Sequence, residues 1–281
     1  MTTWQALTTT WTPEPTVMAG CVALLAGYLV ILPREDDTPL PSGKLIRFGC
    51  AVGALAFALQ SPLDLLGDRY LFSVHMVQHL ILLLIVPPLL LFGLPEATIA
   101  RLLAHAPVRA TERYLGHPVV AGLLGIGMMW VWHLPRLYDA ALASTTVHIV
   151  EHLCFLATST IYWWPVIVKQ ASRALSTGGA IAYLLLGMAA SSILGMIITL
   201  APEVLYTPYL HPIDRLGILP LIRAQWGIAP LMDQQIGGLL MWVPGSAVYM
   251  LALIYVLARW YRQPEAPEDL PLAMMPPPVN G

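Results

Sequence analysis

Charge is scarce in this chain. Asp, Glu, Lys and Arg make up 11% of its 281 residues, against about 25% in an average soluble domain. An ordinary water-soluble globule is excluded. The net charge of −2 also excludes a strongly basic nucleic-acid binder. Cysteine is scarce too. Cys21, Cys50 and Cys154 form neither a CxxC pair nor a CxxCH, which argues against a disulfide framework and against covalent c-type haem. There is no HExxH, so hydrolytic zinc chemistry has little support, although HxxxH could hold a zinc. The stretch MTTWQALTTTWTPEPT has no basic region. No cleaved signal peptide is expected, and the first apolar segment should stay as a helix.

Apolar residues fill the space left by charge. They make up 57% of the chain, with a mean hydropathy of +0.70. Seven segments have roughly the length needed to cross an apolar layer about 30 Å thick: Thr16–Leu32, Leu45–Ser61, Tyr70–Phe92, His117–His133, Thr145–Val168, Gly179–Ala201 and Gln235–Trp260. Backbone groups in lipid must be satisfied internally, so the segments read as helices. The expected fold class is all-α, a polytopic membrane protein with seven transmembrane helices. Residues 1–262 form that domain, and the proline-rich tail 263–281 is expected to be disordered. The Pro87-Pro88 pair should kink the third span. A short interfacial helix is expected between residues 94 and 116. The long connection from Pro202 to Gln234 is expected on the opposite side, folding over its mouth.

Lys and Arg distribute unevenly between the two sets of connections. One side holds Arg34, Lys44, Arg47, Arg101, Arg109, Arg113, Lys169, Arg173, Arg259 and Arg262. The other holds Arg69, Arg136, Arg215 and Arg223. The richer side reads as cytoplasmic, with the N-terminus outside and the C-terminus inside.

With that orientation, five of the eight histidines fall in the outer leaflet. His75 and His79 open the third span, His133 closes the fourth, and His148 and His152 open the fifth. Residues i and i+4 share a helix face, so each HxxxH pair points one way. At about 1.5 Å per residue, His79 and His152 lie roughly one to two turns below the surface. Imidazoles from three helices converging on one volume would form a metal site suited to Zn, Cu, Fe or Ni. Met76, Met196 and Met241 lie at similar depth, and thioether sulfur favours Cu(I). Glu151, an ionisable group within a span, is a functional candidate by default. Asp233, at the outer start of the last span, is a further ligand or supporting group.

Blander readings stand beside these. A histidine can cap a helix end, and His133 beside Trp132 and before Pro135 is the best such case. Each methionine taken alone reads as packing. Asp64 and Asp68 read as solvated loop residues. Trp163 and Trp164 read as interface anchors. Gly237 and Gly238 read as small residues that permit close helix packing.

Three stretches, FSVHMVQHLILLLIVPPLLLFGLP, WVWHLPRLYDAALASTTVHIVEHLCFLATSTIYWWPVI and LMDQQIGGLLMWVPGSAVY, resemble the CtaG family of cytochrome c oxidase assembly factors associated with caa-type oxidases. LGMIITLAPEVLYTPYL supports the likeness. Together the stretches cover most of the chain from Ser73 to Tyr261. The resemblance implies a multi-pass protein of a bacterial cytoplasmic membrane that serves respiratory-chain biogenesis. It also implies cytochrome c oxidase subunits as partners and copper, as Cu(I), as the metal handled. The motif histidines are His75, His79, His133, His148 and His152, with Asp233 and Met241 from the last motif. Two other functions remain open. Histidines on separate helices could ligate haem, making this a b-type cytochrome or haem-handling factor. A copper or proton transporter would need polar groups continuing inward, where the fifth span offers Thr158, Ser159 and Thr160.

Overall fold

The computed structural model describes residues 13–32 and 42–262, together with Gln5 and Trp11. The tail 263–281 and Arg34 lie outside the described residues. Among the described residues the chain is helical, with no strand. In chain order the α-helices are α1 (Pro15–Ile31), α2 (Ser42–Gln60), α3 (Pro62–Arg69), α4 (Phe72–Leu80), α5 (Val86–Gly93), α6 (Glu96–Ala104), α7 (Ala106–Leu115), α8 (Pro118–Trp132), α9 (Pro135–Ala143), α10 (Thr145–Ile167), α11 (Thr177–Leu200) and α12 (Pro230–Tyr261).

Among the described residues, four rods are long and apolar enough to cross a membrane: α2, the continuous Phe72–Gly93, α11 and α12. A fifth is added if α7 and α8, which meet at 67°, count as one bent span. The chain is therefore a membrane protein by its helices. The other expected spans are helical as well. α1 has 17 residues, and α10 runs unbroken for 23 residues, with His148, Glu151 and His152 in its first half. Two short helices, α6 and α7, fill the connection between residues 94 and 116, where one was expected.

Phe72–Gly93 stays one rod despite Pro87 and Pro88. Proline has no N–H and crowds the carbonyl four residues earlier. The chain widens into a π-helical turn over Ile81–Ile85, just before the pair, which makes room for the ring. The Leu83 carbonyl loses its helical donor at Pro87. The Trp163 indole Nε1–H supplies a replacement at 3.1 Å. This corrects the reading of Trp163 as an interface anchor: it is 2% exposed and serves the core. Trp164 donates to Glu112 Oε1 at 3.1 Å, tying α10 to α7.

α11 and α12 pack along most of their length, and α12 also packs on α4. Small residues allow this closeness where lipid supplies no hydrophobic drive. A Cβ on Gly238 would stand 2.7 Å from the Gly195 carbonyl, and one on Gly237 would strike the Phe72 ring. α10 packs on α8, on the π-helical turn and on α5. Where α4 and α10 begin, imidazoles from both fill the wedge between them. The connection 201–229 folds over this wedge. Tyr206 Oη donates to the His133 carbonyl at 3.1 Å and Tyr209 Oη to the Gly67 carbonyl at 2.8 Å. Arg223 donates to the Tyr209 and Ile228 carbonyls.

Candidate metal centre

The first two turns of α4 and of α10 begin at the same end of the molecule. On α4 the i, i+4 pair is His75 and His79; on α10 it is His148 and His152. The two walls face each other across the wedge. Ring centroids of His75 lie 5.4 Å from His148 and 6.2 Å from His152, and those of His79 and His152 are 5.8 Å apart. His75 Nε2 and His79 Nε2 stand 2.7 Å apart. Two lone pairs cannot face each other at that distance without a proton or a cation between them.

Glu151 is fully buried on the α10 wall, with Oε1 3.8 Å from His79 Nε2. One ligand atom from each of His75, His79, Glu151 and His152 fits within a mutual separation of 4.8 Å. In a closed tetrahedral site, with ligands about 2.0–2.1 Å from the ion, the separation would be nearer 3.4 Å. The His75 Nε2–His79 Nε2 separation, 2.7 Å, falls below that value, and His79 Nε2–Glu151 Oε1, 3.8 Å, lies a little above it. A second group, Asp68, His75 and His148, meets the same limit. Asp68 Oδ1 lies 3.4 Å from His75 Nδ1, and its Oδ2 lies 3.4 Å from His148 Nδ1.

Polar satisfaction sharpens the picture. His75 Nδ1, His79 Nδ1, His133 Nε2, His148 Nε2, His152 Nε2, Asp68 Oδ1 and both Glu151 oxygens are buried without a hydrogen-bond partner. An unpaired buried polar atom costs about 1–3 kcal/mol, so such a cluster is not a neutral packing solution. A cation held by His152 and Glu151 would accept lone pairs from some of these atoms and remove part of the cost.

His133 caps the C-terminus of α8. Its Nδ1–H donates to the Met129 carbonyl at 2.6 Å, which leaves Nε2 as the lone-pair nitrogen. Its ring lies 5.6 Å from that of His79, at the edge of the converging set rather than within it. Toward the centre of the bundle, His79 and His133 line a cavity of about 30 Å³ with Met76, Met129 and Met241. That is room for an ion or one water, against the roughly 300–1,000 Å³ of pockets for organic ligands. A haem has no matching space there. Met196 is half-buried on α11 and is not among the residues lining this cavity.

Of the two roles open to Asp233, ligand or supporting group, its contacts are those of a supporting group. It lies in the first turn of α12, and both its oxygens are engaged. Oδ2 accepts from Phe72 N at 2.6 Å; Oδ1 accepts from Ser73 N at 3.1 Å and from the Ser73 hydroxyl. One carboxylate thus serves the positive ends of two helices and fixes where α4 starts. Gln234 is likewise spent, accepting from Leu205 N and donating to the Ile198 and Glu203 carbonyls.

Asp68 corrects the sequence reading most sharply. It is not a solvated loop residue but belongs to α3, 26% exposed and between two histidines. Gly67 makes this possible, since a Cβ there would meet the His75 backbone at 2.9 Å. The stretch SPLD carried a usable signal, a Ser N-cap followed by Pro; the Ser61 hydroxyl oxygen does accept from Leu63 N. No such signal announced the aromatic cover. Tyr138, Tyr206 and Tyr209, with Phe72, pack together at the end of the molecule where α4 and α10 begin. Burial first, then neighbouring Tyr209, holds the Tyr138 hydroxyl well above its ordinary range, so it stays a protonated donor.

Below the site the inner half of α10 offers no free polar path. The Thr158, Ser159 and Thr160 hydroxyls all donate to carbonyls one turn back on their own helix, as hydroxyls in apolar helices commonly do.

Comparison with known proteins places these features in a family. The family model described as cytochrome c oxidase caa3 assembly factor (Caa3_CtaG) matches residues 23–263. Among curated proteins, the chain is 24% identical over 276 residues to the uncharacterized protein ML1998 of Mycobacterium leprae. It is 24% identical over 274 residues to Mb0105 of Mycobacterium bovis. Each match covers 91% of this chain and 40% of the relative, so the chain spans about two fifths of their length. No solved structure matches.

Proposed function

The chain belongs to the caa3 cytochrome c oxidase assembly factor family, and on that premise we propose that it holds copper in the histidine wedge and delivers it to an oxidase subunit. The carrying observation is the cluster of buried, unpartnered imidazole and carboxylate atoms contributed by α4 and α10. His75, His79, Glu151 and His152 are the ligands proposed for the held ion, with His148 beside them. His133, Met76 and Met241 form the inner wall. Imidazole accepts copper in either oxidation state, and the thioethers favour Cu(I). The role is that of a carrier and not of a catalyst.

The same reading takes the molecule as seven spans in a bacterial cytoplasmic membrane, N-terminus outside, with the wedge in the outer leaflet. The imbalance of Lys and Arg between the connections supports that orientation. Copper then arrives and leaves on the outer side, consistent with the spent hydroxyls below the site.

In cells lacking this protein, the oxidase is expected to assemble with its haem but with less than about a tenth of its copper. Wild-type protein restores the metal, and His79→Ala/His152→Ala protein does not. Copper and haem assayed on the purified oxidase decide the matter. An oxidase with full copper and deficient haem would overturn the proposal.

A further inference from the structure

We propose that copper reaches the buried site through a separate outer position formed by Asp68, His75 and His148. This rests on the copper reading above and adds the route and order of loading.

Two ladders of ligands run inward side by side. On α4, His75 stands one turn outside His79; on α10, His148 stands one turn outside His152, their rings 4.1 Å apart. Solvent reaches the outer group at Asp68, 26% exposed, and at His148, 13% exposed, whereas His75, the residue both groups share, is fully buried; in the inner group His79 is 2% exposed, Glu151 is fully buried and His152 is half-buried. Asp68 is the one carboxylate of the set that solvent reaches. Its charge raises the local concentration of cations at the mouth.

His75 is common to both positions and presents a different nitrogen to each. Nδ1 faces Asp68 at 3.4 Å, and Nε2 faces His79 at 2.7 Å. A neutral imidazole has one lone pair, so it serves one position at a time. With an ion outside, Nδ1 binds it and the ring proton sits on Nε2, toward His79. With the ion inside, Nε2 binds it and the proton sits on Nδ1, toward the Asp68 carboxylate that has released the ion. The ring stays neutral overall: as the ion leaves, Nδ1 takes up a proton from water by way of the partly exposed Asp68 carboxylate, Nε2 releases one that returns to water, and no electron moves.

The test is copper exchange with the purified full chain, using Cu(I) supplied from and withdrawn by a chromophoric chelator under anaerobic conditions. Asp68→Asn is expected to slow loading and unloading together by about tenfold or more, with the equilibrium Kd changed by less than about threefold, because a route alters both rates alike. Asp68→Glu restores both rates. His148→Gln carries the same expectation should Asp68→Asn fail to fold. A Kd weakened tenfold with loading unchanged would make Asp68 a ligand of a single site and overturn the route, as would unchanged rates. Wild-type protein that takes no copper would instead remove the copper reading, and this route with it.

Discussion

The His79→Ala/His152→Ala variant is expected to purify with less than about a tenth of the copper bound by the wild-type chain, because ligand atoms are lost from both walls of one site. Its folding stability should barely change without metal, and the reason lies in opposing terms. Truncating a buried imidazole leaves a cavity, which costs stability. It also removes nitrogens that are buried without partners, each unfavourable by about 1–3 kcal/mol. The two terms are of similar size. Copper should raise the midpoint of unfolding of the wild-type chain and leave the variant unmoved, since only a bound ligand shifts the equilibrium. If the four histidines served packing alone, the variant would unfold earlier and copper would make no difference to either protein.

Asp233→Ala should give the largest loss of stability, about 3–5 kcal/mol, by stranding two backbone N–H groups at the start of α4 and removing charge-assisted bonds. Asp233→Asn keeps an acceptor for Phe72 or Ser73 and should cost about half as much. Ser73→Ala, which removes only the hydroxyl bond, should cost about 1 kcal/mol. Denaturant unfolding in detergent measures the series. Copper affinity should fall in the same order even though Asp233 touches no histidine, because α4 carries His75 and His79 and this carboxylate sets its position. Equal effects of the Ala and Asn changes would mean that the carboxylate does not cap α4.

The helices were legible because an apolar run of sufficient length has few other solutions in lipid. His75, His79, His148 and His152 were legible as pairs because a spacing of four fixes one face of a helix. Other features depend on the third dimension and leave little trace in a single strand of letters. Asp68 is seven residues before His75 in a stretch that looks like a solvated turn. Only the close approach at Gly67 folds α3 back onto α4. Trp163 resembles an interface tryptophan until the carbonyl freed by Pro87 is found beside it. Asp233 stands among polar residues at a helix start and looks like a ligand, yet the amides of α4 occupy its oxygens. Tyr138, Tyr206 and Tyr209 come from two separate connections, so nothing in their spacing brings them together. The outer cover was expected only as a long connection.

X-ray absorption at the copper edge of the loaded, purified chain tests the central claim most directly. The account predicts two or more imidazole ligands, seen through the outer scattering of the ring atoms, and their loss in the His79→Ala/His152→Ala variant. A first shell of sulfur alone, or an imidazole signal that survives the double change, would contradict it.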